Sequence, residues 1–261
     1  MEATGQLQPL TSVEFDQREL LQIQRNELVL LLQDPYRLNH YADHIVQAQA
    51  ALLRPVNPEL TQALSQTIEQ LIQNLSASKK YLKPKRFNML QRWFGSDIEH
   101  VSQQVSFYRR LDQQLQRADD LSEQLQYEIQ ASQIRMNELS GLRVQMAKYI
   151  QAAESFLHEY PKFSQQRPFD HFAERLAKKI ESLGTLQASN DIVITQMQLS
   201  QQLSFSLLDR FKEAQQILLP AWKYHIDQYV QRDSQQAVEA LDASREQLIQ
   251  NLKRALLRQK N

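Results

Sequence analysis

Two groups of side chains in this sequence have types and spacings that could do chemistry. His40 and His44 stand four residues apart with Asp43 between them, a helical spacing that could turn two imidazoles toward one zinc ion. Zinc needs further ligands, and neither HEXXH nor an obvious third ligand stands near. The pair therefore reads as two surface histidines. The second group lies in "SASKKYLKPKRFNMLQRWFGSD", residues 76–97. Lys79, Lys80, Lys83, Lys85 and Arg86 are interleaved with Tyr81 and Leu82, and Phe87, Arg92, Trp93 and Phe94 lie just beyond. Positive charge beside aromatic rings suits an anionic lipid surface, an acidic partner or nucleic acid. Near an anionic membrane each basic residue contributes about 1 kcal/mol. The blander reading of the same residues is a solvated helix junction. A later basic cluster, Lys253, Arg254, Arg258 and Lys260, needs no more than the preference of cations for a helix C-terminus.

Other chemistries are excluded by what the chain lacks. There is no cysteine, so no disulfide, thiolate metal site or redox thiol is available. There is no glycine-rich phosphate loop and no G-x-S-x-G. His100, His158, His171 and His225 are scattered singly. No catalytic constellation emerges, and the expectation is a protein that is not an enzyme, with no cofactor and no metal. Lys+Arg and Asp+Glu balance at 30 each. No global basic field announces a nucleic-acid binder, and none is expected as a partner.

The elements that must position these groups are helical. The chain has 261 residues, 42% hydrophobic and 23% charged, but only 4 glycines, and sheets with tight turns use more. Glutamine, leucine and alanine, all good helix formers, are abundant. Residues 1–11 read as a disordered N-terminus and residues 12–77 as N-terminal helices. Of these, one is capped by Ser12 and runs to about Gln33, one spans Tyr36 to Leu53, and one starts near Pro58 and fades around Ser76. Residues 78–96 are the basic connector, and residues 97–261 a long-helix bundle with a kink at Pro220.

A heptad fits residues 108–160. One seam position takes Tyr108, Leu115, Ser122, Ile129, Met136, Arg143, Ile150 and Leu157. The other takes Leu111, Ala118, Leu125, Ser132, Leu139, Met146, Ala153 and Tyr160. Apart from Ser122, Ser132 and Arg143 these are apolar, a strong signal for a coiled coil or long bundle. A helix of about 60 residues would be roughly 90 Å long. Arg143 reads as a snorkelling or interhelically paired residue. A connector at residues 161–169 precedes a further helix from near Phe169 past Leu218, with a weak point at Gly184. Short connectors fold successive long helices back on one another. The expected fold is all-α, an extended antiparallel helical bundle with long coiled-coil-like helices.

Within that last helix stands "QQILLPAWKYHI", residues 215–226. An interior proline costs about 3 kcal/mol. Yet Gln201, Phe205, Leu208, Phe211, Gln215 and Leu218 approach Pro220 at spacings of three and four, and Trp222, Ile226 and Tyr229 carry the face onward. A stripe that survives the proline indicates a kink in a packed helix. Trp222 would fill the opened space, its indole N–H bonding a carbonyl that the proline frees.

This stretch resembles the TelA/KlaA toxic-anion (tellurite) resistance family. That family carries an Ile-Pro-Leu-Trp-Lys stretch at a helix kink, matched here by Leu219, Pro220, Trp222 and Lys223. Leu207, Arg210 and Phe211 fall where its pattern has an aliphatic, a base and an aliphatic. Phe94 and Gly95 in "RWFGSDI" are similar to its Phe-Gly segment ahead of a central coiled coil. The architecture matches over roughly residues 88–230. The family's paired asparagines are replaced by Gln202 and Leu203, and the chain is shorter than typical members. The resemblance implies a cytoplasmic, all-helical bacterial protein linked to tellurite and envelope-stress tolerance, with no enzymatic activity to transfer. The mechanism expected is indirect: a scaffold acting through protein partners or the inner membrane face. The alternative is a peripheral membrane protein that senses or shapes lipid. Heptad seams also permit self-association.

Overall fold

The computed structural model describes residues 7, 13–32, 34, 36–78, 96–159, 171–232 and 235–257. The fold is all-α, with no strand among the described residues. Helix α1 (Gln17–Ile23) is capped by Asp16 and not by Ser12, because the Asp16 carboxylate accepts the Arg18 N–H at 3.0 Å. Glu19 adds negative charge to the same first turn, where the helix dipole favours it. The expected uniform helix is then widened into a π-turn at Gln24–Leu28 before α2 (Val29–Leu31).

The second expected helix also forms in two pieces. A 3-10 turn at Arg37–His40 leads through Tyr41 and Ala42 into α3 (Asp43–Leu52). Ala42 takes φ 61, the left-handed region, at about 1 kcal/mol for a residue with a Cβ. It stays because its side chain is buried with Leu38, Tyr41 and Ile45. Ala42→Gly is expected to leave stability within about 1 kcal/mol of the parent, since relieved strain offsets the lost methyl. Ala42→Val, β-branched at positive φ, is expected to lower it by about 2 kcal/mol or more. Thermal unfolding of the two variants checks this.

Helix α4 (Pro58–Ala77) starts where the sequence indicates. Pro58 occupies the first turn, where its missing N–H costs nothing, and the Asn57 side chain accepts the Glu59 N–H at 2.9 Å. Helix α5 (Ser96–Glu159) is the long heptad helix. Helix α6 (Phe172–Glu213) passes Gly184 without a break. A second π-turn, Ala214–Leu218, leads into α7 (Leu219–Arg232), and α8 (Gln235–Leu257) follows.

The chain divides into two compact units. One comprises Met1–Pro55 and Ala131–Ser200, the other Val56–Gln130 and Gln201–Asn261. The heptad seam of α5 is the inner face in each. Leu111, Ala118, Leu125, Ser132, Leu139, Met146 and Ala153 are all buried. In the first unit Leu28, Leu38, Ile45, Met146, Phe156, Phe172 and Leu176 form the main core. In the second, Leu64, Ile68, Leu71 and Leu75 of α4 pack with Leu111, Phe211, Trp222, Leu248 and Leu252. There α6 runs antiparallel to α5, since Lys212 meets Asp119 and Gln201 meets Ile129.

Candidate functional site

The first unit holds a connected set of polar side chains on three helices, all buried except Asp191, which is partly so. Arg143 of α5 is almost fully buried, and its Nε and Nη2 donate to Asp191 Oδ1 and Oδ2 of α6, both at 2.8 Å. Gln187 Nε2, one turn back, donates to the same Asp191 Oδ1 at 2.7 Å. Gln49 of α3 donates to Gln187 Oε1 at 2.9 Å and accepts from Asn190 Nδ2 at 2.8 Å. The two-pronged ion pair satisfies the planar guanidinium geometrically. The expectation that Arg143 is paired between helices therefore holds. Its partners Asp191, Gln49, Gln187 and Asn190 were not singled out from sequence. One signal was present: Asp191 is the lone charge between Glu181 and Asp209. The arrangement fixes the register of α3, α5 and α6, since a one-residue slip would strand several polar groups in the core.

The first π-turn supplies a neighbouring set. Gln24 Nε2 donates to the Ala152 carbonyl at 3.1 Å, Tyr149 Oη donates to Glu27 Oε1 at 2.5 Å, and Tyr41 Oη donates to the Tyr149 carbonyl at 2.8 Å. Burial, with the Glu27 charge, pushes both phenols well above their ordinary value. Both therefore remain hydrogen-bond donors through the physiological range.

The family-like motif lies in the second unit. The widened turn ahead of Pro220 is a π-turn in which the Leu219 N–H reaches the Ala214 carbonyl. It adds a residue at the place where the proline ring would crowd the preceding turn. Leu219 and Trp222 are buried, with Trp222 fully enclosed, and Pro220 faces outward. Lys223 pairs at 3.8 Å with Asp112 on the surface. Leu207 and Phe211 are buried, while Phe205, placed on the stripe by spacing, is 44% exposed. The indole of Trp222 departs from expectation. Its Nε1 is buried and has no hydrogen-bond partner among the described residues, so the carbonyl expected to receive it does not. The π-turn explains this: the extra residue shifts the register by which spacing alone would align the ring with a freed carbonyl.

The chain is similar to protein KlaA of Escherichia coli. The two are 28% identical over 167 residues, which is 62% of this chain and 65% of that protein. The chain thus covers less than two thirds of its relative. No family model matches, and no solved structure matches. The similarity agrees with the resemblance that Leu219, Pro220, Trp222 and Lys223 carry.

The remaining candidates sort as follows. Lys79, Lys80, Lys83, Lys85, Arg86, Phe94 and Gly95 lie outside the described residues. His40 and His44 do not converge. His40 Nδ1 lies 2.9 Å from Asp43 Oδ2, and the His44 ring stands edge-on to Tyr149 at 5.3 Å. Among the described residues no helix is long and apolar enough to cross a membrane.

Two carboxylates tie helices together and titrate low, Asp119 joining α5 to α6 and Asp43 joining α3 to α6. At Asp119 the hydrogen bond from Gln215 of the second π-turn, with those from Lys212 and Ser122, outweighs burial and lowers the carboxyl below its ordinary value. At Asp43 burial acts upward, but the hydrogen bonds from Lys179 and His40 and the Lys179 charge prevail. A carboxyl lowered by folding contributes stability above its unfolded value, and that stability is lost as pH falls through the folded one. Chemical-denaturation midpoints are therefore expected to fall on acidification below about pH 4. The fall should be shallower in Asp119→Asn.

Proposed function

We propose that the protein is a non-enzymatic helical scaffold that contributes to toxic-anion (tellurite) resistance or envelope-stress tolerance. It acts in the cytoplasm through contacts with protein partners or with the inner membrane face. The similarity to KlaA carries this reading, joined to the motif around Pro220 and Trp222. Two physical features support an indirect mechanism. A chain without cysteine cannot reduce tellurite with thiols of its own. The ion pair of Arg143, buried, with Asp191, partly buried, is closed by mutual hydrogen bonds and by Gln187, which suits a group that holds helices together.

The test is tellurite tolerance of a deletion strain, complemented with the parent gene or with Lys79, Lys80, Lys83, Lys85 and Arg86 all changed to Gln. Deletion is expected to sensitise, and the parent gene to rescue. Failure of the Gln variant at normal protein level would make the basic segment a working surface. Unchanged tolerance on deletion would sink the resistance role. The second reading, a peripheral protein that senses or shapes lipid, rests on the same basic-aromatic segment. It requires the purified protein to float with anionic liposomes and to release at high salt.

A further inference from the structure

Helix α6 has a second face that its own unit leaves open. Thr185, Ala188, Ser189, Ile192, Thr195, Gln196 and Leu199 are all exposed, Ile192 at 63% and Leu199 at 57%. They fall on one side of the helix, with Thr185, Ile192 and Leu199 repeating every seven residues and Ala188 and Thr195 between them. That is a coiled-coil seam turned outward. It carries no charge. Asp191, the single charge between Glu181 and Asp209, is turned toward Arg143. Loss of charge, with large apolar residues kept exposed, marks the centre of an interface more than a solvated face. Gly184 borders the seam, and nothing lies within 4 Å of where a Cβ would stand. No contact among the described residues accounts for a glycine within this helix.

The geometry points to a second copy of this chain as the occupant, in an antiparallel α6–α6 pair with its two-fold axis at Ile192. Two properties of the face select that partner. An uncharged strip is compatible with itself, whereas a strip of one sign would repel its copy. The seam is also divided by size. Thr185, Ala188 and Ser189 are small and occupy the first half, Ile192 stands at the centre, and the second half holds Thr195, Gln196 and the large Leu199. Parallel pairing would set Leu199 against Leu199 and Thr185 against Thr185, whereas Ile192 meets its copy in either arrangement. Antiparallel pairing about Ile192 sets Leu199 of each copy over Thr185 of the other, and Gln196 over Ala188. Thr185 and Ser189, with Ser182 and Leu186, already line a shallow depression that would receive that leucine, and Lys178 and Glu181 line its end beyond the uncharged strip. The contact rests on the outward face alone and stands apart from the resistance reading.

The paired length, from Thr185 to Leu199, is about 21 Å of helix. That is less than a standard interface provides, so a dissociation constant on the order of tens of micromolar is expected. Sedimentation equilibrium of the full chain across that range tests it, with helix content and thermal midpoint confirming that each variant is folded. The parent is expected to pass from monomer to dimer. Ile192→Glu places two carboxylates at the axis and is expected to weaken association at least about tenfold. Thr185→Lys and Leu199→Glu, each alone, are expected to weaken it, and the double variant to restore it, because each lysine then meets a glutamate of the other copy. A parent that stays monomeric, or an Ile192→Glu variant that dimerises like the parent, overturns the proposal. A double variant no better than its singles overturns the antiparallel arrangement.

Discussion

Arg143→Ala is expected to destabilise the first unit by about 3 kcal/mol, the low end of what breaking a buried ion pair costs. The Arg143 side chain is 8% exposed and that of Asp191 25%, so water compensates part of the carboxylate's loss. The rest cannot relax, because among the described residues Asp191 would keep only Gln187 as a side-chain donor, and Gln187 is committed to Gln49 as well. The effect should be local. Amide hydrogen exchange is expected to accelerate in α3 and in α6 around residues 187–191, and to change little in α4 and α8. The decisive comparison is the double variant Arg143→Met with Asp191→Leu. Removing both charges removes the desolvation penalty with the attraction, so most of the loss should be recovered. A double-mutant cycle by urea unfolding checks it. If the double variant is as unstable as the sum of its singles, the pair is not acting as a unit.

Much of this could be read from residue spacing. The seam on α5 was legible because a heptad repeated through Ser122, Ser132 and Arg143 without losing phase, and the two serines are buried as the repeat demands. The start of α4 was legible because Pro58 at a first turn has one reading, and its end near Ser76 followed from the loss of pattern. The π-turns were not legible. A π-turn changes the hydrogen-bond count without changing residue type, so Gln24–Leu28 and Ala214–Leu218 look in sequence like ordinary helix. Ala42 was hidden for a similar reason, because alanine is the last residue expected at positive φ. The polar set around Arg143 was half legible. Its cation stood on a seam position, but Gln49, Gln187 and Asn190 are three among many amides, and only the fold selects them. The division into two units follows from which parts of α5 and α6 each set of shorter helices covers, a tertiary fact with no local mark.

Trp222→Ala is expected to cost about 4 kcal/mol, since it empties the site of a fully buried indole in the core of the second unit. The more informative variant is Trp222→Phe. A buried tryptophan usually donates its N–H, and phenylalanine then loses a hydrogen bond along with volume. Here Nε1 has no partner among the described residues, so phenylalanine removes an unsatisfied donor while keeping most of the apolar contact. Trp222→Phe is therefore expected to cost only about 1 kcal/mol, well under half the alanine value. Urea unfolding of both variants gives the ratio. A spectroscopic readout is independent of it. In a Trp93→Phe background the sole remaining indole is Trp222, and without a hydrogen bond in an apolar site its emission should be strongly blue-shifted. A phenylalanine variant as unstable as the alanine one, with red-shifted emission from the parent indole, would mean that the N–H is bonded in solution. The tryptophan beside Pro220 would then be held by polarity as well as by packing. The expected result leaves packing alone. The π-turn accommodates the proline, and the ring fills its place in the buried core that it shares with Leu219 and Ile226.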